Sequence, residues 1–90
     1  MFIPFKSGTP INLTASGAVT AGAGDLLGFY VNSTNVGTLI IKDGGSSGTA
    51  ISGTITPDKG WHFYPVSVAG ELHATIANTL NVTFVLMPRA

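Results

Sequence analysis

The stretch Asp25-Leu-Leu-Gly-Phe-Tyr-Val-Asn-Ser-Thr-Asn-Val-Gly-Thr-Leu-Ile-Ile-Lys-Asp43 decides the fold class. Two short runs, residues 25–32 and 38–43, are rich in Leu, Ile, Val, Phe and Tyr, and between them lies the polar, glycine-bearing Ser33-Thr-Asn-Val-Gly37. β-branched and aromatic side chains suit a pleated strand, and clusters of Ser, Asn and Gly supply turns. No window repeats apolar residues at the three- and four-residue spacing of an amphipathic helix without a glycine or a β-branched run inside it. The stretch therefore reads as two strands joined by a turn over residues 33–37.

The same alternation extends in both directions. It predicts strands at 11–15, 49–56, 61–68, 71–76 and 81–87, with the first few residues a candidate for another. Turns fall at 43–48, 57–60, 69–70 and 77–79. In Pro57-Asp-Lys-Gly60 the proline presets φ for a turn and the glycine can leave it in the left-handed region. Residues 17–24 are small and flexible in composition, either a loop or a weak edge strand through Val19 and Thr20. About seven or eight short antiparallel strands fill the chain, the pattern of an all-β sandwich or barrel. Without a linker, a charge run or an internal repeat, the 90 residues read as one domain.

A domain this short has a thin stability margin, and the absence of cysteine removes disulfides and thiolate metal sites as support. Packing and association remain. Only 9% of residues are Asp, Glu, Lys or Arg, against about 25% in an ordinary globular domain. Four acids and four bases cancel, and they are scattered. No basic stripe exists to neutralise nucleic-acid phosphates or anionic lipid. No apolar run approaches transmembrane length, and Met1-Phe-Ile-Pro-Phe5 is too short for a signal peptide. A surface this poor in charge is expected to be partly covered, because interface cores are depleted of charge.

Strand parity locates that cover. Within 25–32, Leu27, Phe29 and Val31 point one way by simple alternation, and Leu26 and Tyr30 the other. Trp61 and Phe63 stand opposite His62, Tyr64, Val66 and Val68. Val82, Phe84 and Leu86 stand opposite Thr83, Val85 and Met87. A two-layer sandwich needs one apolar face per strand, and these strands carry two. Four or five such side chains, at about 1.5–3 kcal/mol each, offer roughly 6–15 kcal/mol to an association before binding costs. The alternatives are that bulges turn some of them inward, or that they are scattered singly over the surface.

Chemistry-bearing groups are few, and no catalytic, metal or cofactor residue is assigned. A metal site at His62 and His73 with Glu71 requires His62 in cross-strand register with the other two. The serines lack a strand-to-helix elbow with a histidine and an acid, and Gly22-Ala-Gly24 lacks the spacing of a phosphate loop. The triplets beginning at Asn12, Asn32 and Asn81 match Asn-x-Ser/Thr and read as polar β-surface. Trp61 and Tyr64, with Phe63 between them, are candidates for an aromatic platform that takes sugar rings. The chain is expected not to be an enzyme and to need no cofactor.

Gly28-Phe-Tyr-Val-Asn-Ser33, Gly37-Thr-Leu-Ile-Ile-Lys-Asp-Gly44, Ser47-Gly-Thr49, Gly53-Thr-Ile-Thr56, Gly60-Trp-His-Phe-Tyr-Pro65 and Leu80-Asn-Val-Thr83 give the chain a resemblance to the small β-sandwich capsid decoration and cement proteins of tailed bacteriophages. The resemblance covers about two thirds of the chain, rests on strands and turns, and includes no catalytic motif. It implies a jelly-roll-like sandwich on the capsid surface of the virion, assembled in the host cytoplasm. It also implies a homodimer or homotrimer that locks major capsid proteins together. Residues 1–10 then become a candidate N-terminal arm, with an ordinary edge strand as the alternative. The expected interface anchors are Phe2, Phe5, Leu26, Tyr30, Tyr64 and Val66, since aromatic residues dominate hot spots. The alternative function is a glycan- or receptor-binding module of a phage tail or fibre, using Trp61 and Tyr64.

Overall fold

The structure, a computed structural model, describes residues 9–87. Its strands are β1 (Thr9–Leu13), β2 (Gly17–Ala18), β3 (Gly24–Asp43), β4 (Thr49–Ala50), β5 (Gly60–Val68) and β6 (Leu72–Met87). They form one antiparallel sheet, and no helix occurs among the described residues. The all-β expectation holds. The candidate arm lies largely outside the described residues, and Thr9 and Pro10 belong to β1.

Two expected turns are not chain reversals. Residues 33–37 and 77–79 lie opposite each other inside one long ladder, where Ser33 pairs with Asn81, Val36 with Thr79 and Thr38 with Ala77. A reversal would pair 25–32 with 38–43. Here both runs pair with β6, so β3 is one strand of 20 residues and β6 one of 16. At about 3.3 Å per residue a straight β3 would reach roughly 63 Å, which exceeds the longest dimension of 44 Å. The ribbon therefore bends. Register shifts at Val31/Ser33 and Asn35/Val36 mark the place, together with left-handed backbone at Val36 (φ 49°) and Asn78 (φ 60°), one residue from each strand. Bulges increase local bending and twist without ending the ladder.

The bend divides the sheet into two groups of four. In the first, β1, the end of β6, the start of β3 and β5 lie side by side; in the second, β2, the start of β6, the end of β3 and β4 do so. Phe29, Val31, Val82 and Phe84 of the first share one buried core with Leu39, Ile41, Leu72 and Ala74 of the second.

The strand expected at 49–56 is interrupted. Only Thr49 and Ala50 remain in β4, with an isolated bridge from Ile55 to Leu39. Between them the Ile41 amide donates to the Ser52 hydroxyl at 2.9 Å. A serine side chain has taken the place of a ladder carbonyl. On the other side of the sheet, Ser16 Oγ donates to Ile76 O and accepts from Ile76 N (3.2 and 2.8 Å). The turn at Pro57–Gly60 leaves through Gly60 at φ 115°, as its sequence predicts.

Candidate functional site: the outer face of the first group

A third register shift, ahead of the bend, sets the faces of β3. Leu26 pairs with Leu86 and Gly28 with Val85, so Leu27 is an extra residue. Parity shifts by one across it. Leu26, Phe29 and Val31 all turn to the core, and Leu26 is 0% exposed. The expectation that Leu26 joins Tyr30 on a partner-facing surface is corrected accordingly. Behind this face Phe29 stacks on His62 at 5.2 Å and tilts against Phe84 at 5.9 Å.

On the outer face, residues opposite one another across β1, β6, β3 and β5 form two rows. Asn12, Thr83, Tyr30 and Trp61 make one, and Pro10, Val85, Gly28 and Phe63 the other. Tyr30, Trp61 and Phe63 are 47%, 45% and 66% exposed, and Met87 is exposed at the end of the same side of β6. The Trp61 and Phe63 rings are 6.4 Å apart. Gly28 is what admits the indole, because a Cβ there would lie 2.8 Å from two Trp61 ring carbons and closer still to the His62 carbonyl. Neither row holds a charged side chain.

The three asparagines of the Asn-x-Ser/Thr triplets meet at the edge of this strip. Asn12 Nδ2 donates to Asn81 Oδ1 (2.8 Å), Val82 O (3.1 Å) and Thr83 Oγ1 (3.0 Å). Asn32 Nδ2 donates to Asn81 Oδ1 (3.1 Å) and Thr83 Oγ1 (2.9 Å). Polar surface in the sequence is, in the fold, one amide network beside Tyr30 and Trp61.

The other expected site residues are dispersed. Tyr64 and Val66 are half-buried against the core, and the Tyr64 hydroxyl donates to Ile51 O at 3.2 Å. Tyr64 therefore faces away from Trp61, and these two do not make a common sugar platform. Phe2 and Phe5 lie outside the described residues. His62 sits in the first group and His73 in the second, 3.5 Å from Glu71, so His62, His73 and Glu71 do not converge. Among the described residues no three His, Asp or Glu side chains cluster as metal ligands. Phe63, absent from the expected anchors, is the most exposed aromatic residue of the strip. The parity that pairs it with Trp61 was its signal.

No protein-family model, curated protein or solved structure matches the chain.

Proposed function

We propose that the protein is a virion structural subunit, a decoration or cement protein that binds the assembled head of a tailed phage and stabilises it without chemistry or cofactor. The observation that carries this reading is the uncharged strip of Tyr30, Trp61 and Phe63 on the outer face. Aromatic residues side by side on a rigid sheet suit protein docking, because they bring large contact area at small entropic cost. The strand order supports the jelly-roll form of the fold. With β3 and β6 each divided at the bend, the strands among the described residues number eight in chain order. Their pairings are then 1-8-3-6 in one group and 2-7-4-5 in the other, the order of two Greek keys wound together. The sequence resemblance points the same way and names the partner, the major capsid protein.

A subunit of this kind stabilises a shell by binding the assembled lattice better than free capsid protein. Co-sedimentation with purified heads tests the reading. Wild-type protein should pellet with heads, and Trp61→Ala should lose roughly 30-fold in affinity, as for a hot spot of about 2 kcal/mol. Lys42→Ala, in the second group, should bind as wild type. Equal binding by the wild type and Trp61→Ala would remove the strip from the function.

The amide network favours a second reading, a glycan- or receptor-binding module of a tail or fibre. Stacking on Tyr30 or Trp61 combined with hydrogen bonds to Asn12 and Asn32 would suit a neutral sugar. Trp61 is the sole tryptophan. Its fluorescence should change on titration with a neutral oligosaccharide if this reading is right, and stay constant if the capsid reading is.

A further inference from the structure

Among the described residues the strip and the sheet both end at β5. β5 is hydrogen-bonded to β3 on one side, and no described strand pairs with its other side. An open edge of unpaired N–H and C=O groups is a template for another strand, so natural edges are kept short or blunted by charge, proline or bulges. β5 has nine residues, Gly-Trp-His-Phe-Tyr-Pro-Val-Ser-Val, none of them charged. Pro65 and the irregularity opposite Leu26 and Gly28 blunt its second half. Gly60 to Phe63 keeps a regular pairing with β3, and its other side is open among the described residues and uncharged. The opposite edge of the same group, β1, has five residues with Pro10 among them, and the edge strands of the second group have two each.

We propose that β5 pairs edge to edge with β5 of a second copy, antiparallel about a two-fold axis at His62. That register centres on the regularly paired residues, extends by one to Tyr64, and leaves Pro65 outside. It sets Gly60 against Tyr64 of the second copy and Trp61 against its Phe63, and the symmetry repeats both pairs. Aromatic cross-strand pairs stabilise a sheet, and an isologous contact without charge meets no like-charge repulsion. An axis one residue later would put Trp61 opposite Pro65, which cannot donate to the ladder. The dimer joins two outer faces into one strip of double width. The inference rests on the docking reading for its purpose, since a wider strip is of use only if a partner binds it, but the pairing is tested separately.

Sedimentation velocity of the wild-type protein should show a concentration-dependent dimer. Phe63→Lys should weaken it roughly tenfold or more, since it removes both aromatic pairs and charges the edge, while leaving the unfolding midpoint within error at concentrations where both proteins are monomeric, because Phe63 is exposed. The chain has no cysteine, so the register can be read directly. Trp61→Cys mixed with Phe63→Cys should join through a short thiol-to-thiol cross-linker, and neither variant should do so alone. A wild-type protein that stays monomeric, or Phe63→Cys that cross-links to itself, would overturn the proposal. A monomer that still pellets with heads refutes the pairing and leaves the docking reading intact. A cross-linked dimer that ignores heads does the reverse.

Discussion

The two groups of strands share a ribbon and a core, yet they are held together differently. The first is filled by Phe29 and Phe84 and carries Tyr30, Trp61 and Phe63 on its outside. Among its strand residues Asp25 is the one charged side chain. The second is filled by smaller residues, Leu39, Ile41, Leu72 and Ala74, and the row on its opposite face is Ala18, the buried His73, Lys42 and Ala50. Side chains knit its far end to the backbone. Asp43 accepts from the Ala69 and Gly70 amides (3.2 and 2.9 Å), and Thr20 Oγ1 accepts from the Leu72 amide at 2.9 Å. Nearby, the Glu71 carbonyl accepts from Gly44 and Gly45 at 2.8 and 3.1 Å. Apolar area organises one end and hydrogen-bonded turns the other, which leaves the first end free to present an uncharged aromatic surface.

The largest expected effect probes the area-dependent end. Phe84→Ala should cost about 3–5 kcal/mol, a large share of the roughly 5–15 kcal/mol that holds a domain together. Leu39→Ala, its counterpart across the bend, should cost about 2–5 kcal/mol and less than Phe84→Ala, because it removes the smaller side chain. Urea unfolding measures both, and the comparison breaks if Leu39→Ala is the costlier. Asp43→Ala should cost about 1–2 kcal/mol, because two amides lose a carboxylate acceptor. Native-state hydrogen exchange should then speed up at Ala69 and Gly70 and stay unchanged at Phe29. Acceleration at Phe29 would mean that the two ends unfold as one unit.

The smallest effect lies at the bend, which belongs to neither group. Val36 holds a left-handed φ of 49° and is 71% exposed, so little packing offsets the strain. Left-handed backbone costs an L residue about 1–2 kcal/mol, and glycine gives back about 0.5–1 kcal/mol in unfolded-state entropy. Val36→Gly should therefore raise stability by about 0.5–1 kcal/mol in thermal unfolding. A loss instead would show that the valine side chain makes a contact the bend depends on.

Much of the fold was legible. Alternation in Gly60–Val68 placed Trp61 and Phe63 together and opposite Tyr64, and the structure keeps that parity. Simple alternation failed in β3, because the extra residue Leu27 moved Leu26 to the core. Gly28, a glycine inside a strand pattern, is the available mark of a bulge, but it does not say which neighbouring residue is the extra one. Of the expected anchors, Tyr30 lies on the exposed strip, while Leu26, Tyr64 and Val66 face the core.

By itself the sequence determined the strand class, the lack of charge and two places, residues 33–37 and 77–79, where the backbone departs from a straight strand. Those follow from local preferences, which each short segment carries with it. Only the tertiary structure decided whether Ser33-Thr-Asn-Val-Gly37 reverses the chain or bends it, because that depends on which strand lies alongside, and β6 comes about forty residues later. The same long-range pairing brought Asn12, Asn32 and Asn81 into one network and set Tyr30 beside Trp61. Cross-strand neighbours are fixed by register, and register belongs to two segments at once.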